Sequence, residues 1–196
     1  MTGKLIVFEG IDKSGKETQA RLLTNFLRDQ GKTVATFSFP NYNSWSGERI
    51  KEWLHNKSIC DIHEINAIYT VNRLESKETL ERCLIDYDYV ILDRYYYSNW
   101  VYGQTEDVDP SWLRNLDKPM PRPDKVFLLC ISGKLSAQRG GSLADVYESD
   151  IEAQDKRNIE YMKIGHRLGW DMVDAGDLEE KIAWRIRSNF SPKLTI

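Results

Sequence analysis

The first eighteen residues constrain the fold of this chain more than any other stretch. The run from Lys4 to Phe8, which is apolar from Leu5 onward, predicts a short buried strand, and after it Gly10 and Gly15 bracket four residues ahead of Lys16. Glycines let the backbone turn tightly, and the loop N–H groups and the start of a following helix attract an anion. This order is typical of a phosphate-binding loop (P-loop), although a glycine-rich turn without a ligand has part of the same pattern.

The loop departs from the usual P-loop pattern at one position. A serine or threonine normally follows the lysine and binds Mg²⁺ through its hydroxyl, but here Glu17 follows and Thr18 comes one place later. The metal ligand is therefore Thr18, an acidic residue elsewhere, or mainly phosphates and water. Asp93 directly follows another apolar strand, as a Walker-type carboxylate does, and Arg94 beside it has the fork geometry for phosphate oxygens. A structural Asp–Arg pair is the alternative interpretation.

Composition indicates an ordinary globular protein. The 196 residues fit one domain, with 41% hydrophobic and 29% charged residues, and the net charge of −3 argues against a non-specific nucleic-acid surface. Cys60, Cys83 and Cys130 are too few and too scattered for a disulfide framework or a zinc site. No apolar run approaches the length of a membrane span, and the chain enters its first strand too early for a signal peptide. We therefore expect no membrane partner and a cytoplasmic location.

Predicted strands and helices alternate along the chain. We expect strands at 4–8, 33–39, 89–92, 125–131 and 170–173, and helices at 16–30, 46–55, 61–83 (broken near 75), 98–103, 133–139, 150–168 and 178–188. This alternation predicts an α/β fold, a three-layer sandwich in which helices cover both faces of a five-stranded parallel sheet, and together with the P-loop it predicts the P-loop NTPase type. Ligands in such folds bind at the carboxyl ends of the strands.

Short motifs follow one another over nearly the whole length. They are 5–16, Phe39-Pro40, Asn72-Arg73 with Glu75, Asp93-Arg94-Tyr95 with Ser98-Asn99, 121–124, Tyr147-Glu148 and 173–175. In this order they resemble the thymidylate kinase family of P-loop nucleoside monophosphate kinases. The resemblance implies transfer of the γ-phosphoryl group of ATP to dTMP with Mg²⁺. It also implies a single domain over 1–196, a short mobile lid around 133–148, and a homodimer.

The resemblance implies roles for individual residues. ATP is expected at Gly10, Ile11, Asp12, Lys13, Ser14, Gly15, Lys16, Glu17, Thr18 and Ala175. The acceptor dTMP is expected at Asp12, Phe39, Tyr42, Tyr69, Arg73, Arg94, Asn99 and Tyr102. Catalytic roles fall to Lys16, Lys13, Asp93, Arg94 and Arg139, and the metal is expected at Asp93 or Thr18. Either Lys13 or Arg139 supplies charge at the transferred phosphoryl group.

Further departures keep other interpretations open. Tyr42 stands where many members of the family have an arginine, for which Arg49 is a possible substitute, and Val146 replaces an arginine of the lid. One alternative is a related kinase that phosphorylates dUMP or another deoxynucleoside monophosphate. A second is a deoxynucleoside kinase, which would need Glu9 or Asp93 as a general base. A third is a nucleotide-binding paralogue without catalytic activity.

Overall fold

A parallel sheet forms the centre of the molecule. The computed structural model describes residues 3–56, 59–139 and 150–190. Its strands are β1 (Lys4–Glu9), β2 (Val34–Ser38), β3 (Tyr89–Asp93), β4 (Lys125–Cys130) and β5 (Asp171–Asp174). They pair in parallel in the order β2-β3-β1-β4-β5. The five-stranded parallel sheet predicted from the sequence is therefore confirmed.

The helices connect these strands. They are α1 (Lys16–Asp29), α2 (Trp45–His55), α3 (Ile62–Glu75), α4 (Lys77–Asp86), α5 (Tyr96–Thr105), α6 (Pro110–Leu116), α7 (Gly133–Arg139), α8 (Ile151–Leu168) and α9 (Glu179–Arg187). The expected break near Glu75 occurs at Ser76, between α3 and α4. The prediction missed α6, although Asp109 caps it through the Ser111 N–H and Pro110 occupies its first turn. It also began α5 two residues late.

Helices cover both faces of the sheet. Alternate residues of β1 point to opposite sides, and the apolar side chains on each side pack against helices. On one side Ile6 and Phe8 belong to a core cluster that includes Leu23 and Leu27 of α1 and Ile182 and Ile186 of α9. On the other side Leu5 and Val7 belong to a cluster that includes Leu80 of α4 and Tyr96 of α5. The molecule therefore has the three layers expected from the sequence.

All five parallel strands end at the same edge of the sheet, where the segments after β1 and β3 lie side by side. The P-loop follows β1, and Asp93 and Arg94 stand at the end of the neighbouring β3. The backbone N–H of Arg94 donates to the carbonyl oxygen of Phe8 at 2.9 Å, which joins the two strand ends. Part of the lid expected at 133–148, including Val146, Tyr147 and Glu148, lies outside the described residues; α7 is its described part.

Candidate active site

The P-loop is shaped by close packing against β4. Gly10 and Gly15 have φ angles of 143° and 94°, which side-chain-bearing residues rarely adopt. A Cβ on Gly10 would lie 2.6 Å from the carbonyl oxygen of Leu129, so the turn excludes any larger residue. The loop curls around Lys16, whose Nζ donates to the carbonyl oxygen of Ile11 at 2.7 Å. The carbonyl oxygen of Ile11 therefore helps to fix the position of the lysine ammonium group within the loop.

Lys16 is a buried cation at the beginning of α1. Only 6% of it is exposed. Burial, together with the nearby charge of Arg94, lowers the pKa of Lys16 from 10.5 to about 8, while Asp93, Asp12 and Glu9 act in the opposite direction. An anionic ligand would relieve this unfavourable burial of charge.

Asp12 and Arg94 form an ion pair between the P-loop and the end of β3. The arginine also donates to the Gly10 carbonyl oxygen at 3.1 Å, and the Tyr102 hydroxyl donates to Asp12 at 3.0 Å. Burial alone would raise the pKa of Asp12, but Arg94 and Lys16 outweigh it and hold that pKa at about 2. Asp12 is therefore ionised throughout the pH range in which enzymes are usually assayed. Its carboxylate can accept further hydrogen bonds there.

A fully buried glutamate, Glu9, supports the Asp12–Arg94 pair from the interior of the protein. Glu9 accepts hydrogen bonds from the Tyr95 N–H at 2.9 Å, the Ser98 hydroxyl at 2.7 Å and the Tyr161 hydroxyl at 3.1 Å. Burial raises the pKa of Glu9 above its usual range. These hydrogen bonds link β1 to α5 and α8, so Glu9 stabilises the position of the site. Glu9 lines neither of the two cavities described next.

The first cavity, the acceptor cavity, lies between α2, α3, α5 and the segment after β2. All eight residues expected to bind dTMP line it: Asp12, Phe39, Tyr42, Tyr69, Arg73, Arg94, Asn99 and Tyr102. Leu54, Ile62 and Ile65 complete an apolar part of its wall. The structure thus brings together, in one cavity, residues that are up to ninety positions apart in the sequence.

Arg73 is held in this cavity by a residue that the sequence did not single out. Its Nε and Nη2 donate to one oxygen of Asp117 at 3.0 and 2.6 Å, and both side chains are almost fully buried. Burial raises the pKa of Asp117, with Arg73 opposing. No local motif marks Asp117, because it lies 44 residues from its partner.

The second cavity, the donor cleft, has a volume of about 630 Å³ and follows the P-loop. Most residues expected to bind ATP line it: Asp12, Lys13, Ser14, Gly15, Lys16, Glu17 and Thr18. Gly10, Ile11 and Ala175 do not. Ala175 is fully buried, and its carbonyl oxygen accepts from Arg139 at 2.8 Å. Both candidates for charge at the transferred phosphoryl group, Lys13 and Arg139, line the cleft.

Asp93 is suited to hold a cation in the donor cleft. Its Oδ1 is buried and has no hydrogen-bond partner in the described part of the chain. Thr18 lines the same cleft. The described residues contain no group of three or more His, Cys, Asp or Glu side chains that could bind a metal by themselves. These features fit Mg²⁺, which commonly takes one or two carboxylates and completes its shell with phosphates and water.

The two cavities adjoin each other. Five residues line both of them: Asp12, Phe39, Pro40, Tyr42 and Arg94. Arg49, the sequence-based substitute for the arginine missing at Tyr42, lines neither and instead donates to Glu52 at 3.0 Å and to the Ile59 carbonyl oxygen at 3.1 Å. One ligand on the P-loop and another against α3 and α5 would meet at Asp12 and Arg94.

Comparisons with known proteins agree on one family. The family model described as thymidylate kinase matches residues 8–186. The thymidylate kinase of Arabidopsis thaliana is 34% identical over 185 residues, which are 94% of this chain and 70% of that protein. The human thymidylate kinase is 29% identical over 187 residues, covering 94% and 88% of the two chains.

A solved structure gives the same result at the level of the fold. The thymidylate kinase from Candida albicans superposes with a TM-score of 0.81 at 26% identity, and the match covers 96% of this chain and 92% of that one. Separately, none of the helices in the described ranges has the length and apolarity to cross a membrane.

Proposed function

This chain belongs to the thymidylate kinase family, and we propose that it transfers the γ-phosphoryl group of ATP to dTMP, giving dTDP and ADP. The shared wall between the two cavities is the observation that carries the proposal. Asp12 and Arg94 stand where a donor on the P-loop and an acceptor against α3 and α5 would meet. A nucleotide-binding protein without catalytic activity needs only the donor cleft.

The donor side supplies position and charge. Phosphoryl transfer requires little covalent chemistry from the protein, so fixed cations and in-line positioning account for most of the catalysis. The P-loop N–H groups and Lys16 would hold the β- and γ-phosphates, and Arg94 would contact the phosphate of the acceptor. Mg²⁺ bound beside Asp93 would neutralise charge on the donor phosphates. Lys13 and Arg139 are the two candidates for stabilising the transferred group.

The acceptor side supplies recognition. Tyr69 and Arg73 lie one turn apart on α3 and line the same cavity, so the tyrosine ring can stack on thymine while the arginine meets its edge. Asp12 would accept a hydrogen bond from the 3′-hydroxyl of dTMP. Asn99 and Tyr102 of α5 would lie near the base and the 2′ side of the sugar, which favours a deoxynucleotide.

A different acceptor is the second candidate. The thymidylate kinase of Candida albicans is described as an enzyme of broad substrate specificity. In the present chain Leu54, Ile62 and Ile65 form an apolar wall, and a single methyl group in such a pocket is worth only about 1–3 kcal/mol. Discrimination between dTMP and dUMP therefore needs a direct measurement.

The deciding experiment is ADP formation from Mg-ATP with dTMP, dUMP, dGMP, dCMP, dAMP, UMP or thymidine. We expect rapid turnover with dTMP, slow turnover with dUMP and none with thymidine. Preference for another monophosphate would change the acceptor but keep the reaction. Turnover with thymidine would indicate a nucleoside kinase, and no turnover with any acceptor would refute the proposal.

Assembly and location are part of the same proposal. We propose a cytoplasmic location, as expected in the sequence analysis, and a homodimer, as the family resemblance implies. Val71 and Leu74 are exposed on α3 and offer apolar surface for a second copy. Light scattering during size-exclusion chromatography gives the mass directly, and a monomer at micromolar concentration would contradict the dimer.

A further inference from the structure

A third cavity lies at the opposite edge of the sheet from the P-loop. It has a volume of about 680 Å³ and is lined by the first residues of β4 and β5, Lys125 and Asp171. The P-loop follows the carboxyl end of β1, so a strand length of roughly 15–20 Å separates the two edges. The third cavity shares no lining residue with the acceptor cavity or the donor cleft.

Positive charge without a direct partner surrounds this third cavity. Three arginines line it: Arg114, Arg122 and Arg167. Among the described residues, none of their side chains forms a hydrogen bond or an ion pair, although the charge of Arg114 contributes to lowering the pKa of the nearby Asp109.

The carboxylates of the same cavity already have partners. Asp171 pairs with Lys125 at 2.7 Å, and Asp124 pairs with Lys4 at 2.7 Å while also accepting from the N–H of Leu5. These pairs leave the three arginines as the charge available to a ligand. Guanidinium groups bind phosphate oxygens through paired, charge-assisted hydrogen bonds.

Aromatic side chains form the remaining wall. Tyr96, Tyr97 and Trp100 come from α5, and Trp170 precedes β5. Their rings are packed together, with centroid distances of 5.1 Å for Tyr96 and Trp100 and 4.6 Å for Tyr97 and Trp170. The two tryptophans are partly exposed. Aromatic surface of this kind stacks on planar bases.

We propose that this third cavity is a second nucleotide site, in which Arg114, Arg122 and Arg167 bind the phosphates and the tryptophans contact the base. The ligand class follows from the combination of three phosphate-binding groups with aromatic surface. The net negative charge of the chain disfavours an extended polyanion such as nucleic acid, so the ligand is a single nucleotide that carries several phosphates.

Helix α5 connects this site to the acceptor cavity. Tyr96, Tyr97 and Trp100 line the third cavity, whereas Asn99 and Tyr102 of the same helix line the acceptor cavity. A nucleotide in the third cavity therefore contacts the helix that carries two of the residues proposed to recognise dTMP. Its placement suits a regulatory ligand.

The test separates the new site from the substrate sites. The full-length protein is first saturated with an analogue that joins adenosine to thymidine through a pentaphosphate and fills both substrate cavities. Calorimetric titration with dTTP should then show one further binding event per chain. The double variant Arg122→Gln/Arg167→Gln should weaken it at least tenfold while turnover with ATP and dTMP stays near normal. Arg82→Gln, an exposed arginine on α4, is the matched control and should change nothing.

Two further ligands test the two halves of the proposed site. Tripolyphosphate should bind more weakly than dTTP, because it lacks a base, and thymidine should bind more weakly still. Absence of dTTP binding, or binding that the double variant leaves intact, would overturn the proposal. Equal affinity for tripolyphosphate and dTTP would overturn the base contact. Because the arginine dependence is a binding readout, it decides the question even if the proposed reaction proves wrong.

Discussion

Lys16 remains charged at neutral pH at a cost to the stability of the folded protein. Its pKa falls from 10.5 to about 8 on burial, so between those values the folded state binds fewer protons than the unfolded state. The contribution of Lys16 to the free energy of unfolding therefore rises with pH through this window and is least favourable below pH 8. The lowering of the pKa of Lys16 corresponds to roughly 3 kcal/mol of folding stability. This value is an upper bound on the stability that the protein gains when the charge is removed.

We expect Lys16→Met to separate stability from activity. At pH 7 and without nucleotides, the variant should be more stable than the wild type by roughly 1–2 kcal/mol, since the Ile11 carbonyl oxygen loses its donor and offsets part of the gain. Phosphoryl transfer should be lost. Urea unfolding at pH 7 and pH 9 checks this, because the stability advantage should shrink at the higher pH. A folded variant with near-normal kcat would refute the P-loop assignment.

Glu17 gives a second prediction at this scale. It is exposed in the first turn of α1 and lines the donor cleft, where its carboxylate replaces the usual hydroxyl ligand. We expect Glu17→Ser to lower the Mg²⁺ concentration needed for half-maximal activity by about threefold or more, because the serine would supply the hydroxyl ligand that P-loops normally have at this position. Titration of Mg²⁺ at saturating ATP measures it, with Glu78→Ser on α4 as the control. A large loss of activity would show that Glu17 has a metal-binding or structural role of its own.

Among the elements, α3 depends on a single buried ion pair for the position of its arginine. Arg73 lies on the last turn of α3, and Asp117 follows α6, so their pairing links two helices as well as fixing a side chain in the acceptor cavity. Removing one member of a buried pair leaves the other charge uncompensated, which typically costs about 3–5 kcal/mol.

Asp117→Asn should therefore lower the stability by about 3 kcal/mol and raise the KM for dTMP by about tenfold, with a much smaller change in the KM for ATP. Thermal unfolding and steady-state kinetics with each substrate in turn check the two effects. Glu78→Gln, which removes an exposed pair with Arg82, is the control and should cost less than about 0.5 kcal/mol. Equal changes in both KM values would indicate general loosening of the fold instead.

Across the whole molecule, the adjoining cavities predict how ligands stabilise the fold. A ligand at one hundred times its Kd adds about 2.7 kcal/mol to the free energy of unfolding, or about 5–10 °C in Tm for a chain of this size. We expect the adenosine–thymidine analogue to raise Tm more than ATP or dTMP alone at equal ligand concentration, because contacts in both cavities lower its Kd. Arg73→Ala should remove the effect of dTMP and keep that of ATP. Loss of both effects would contradict separate donor and acceptor sites.

The sequence predicted those parts of the molecule that depend on neighbouring residues. The P-loop and the Asp93-Arg94 pair each follow a buried strand directly, and parallel strands bring such ends together, so the edge of the sheet that carries the site was predictable. The supporting contacts were not, because Asp117 and Tyr161 meet their partners across 44 and 152 residues. Helix α6 was missed for a different reason. Asp109 and Pro110 form a local helix-start signal, but the helix is too short to show a clear helical pattern.

The donor cleft and the acceptor cavity are also built from the chain in different ways. Residues 12–19 form a continuous part of the donor wall, whereas the acceptor wall is a mosaic of α2, α3, α5 and the segment after β2. A change in the continuous segment disturbs the turn itself, while the mosaic can be altered one helix at a time. New acceptor preferences can therefore evolve, or be engineered, in small steps while the use of ATP is conserved.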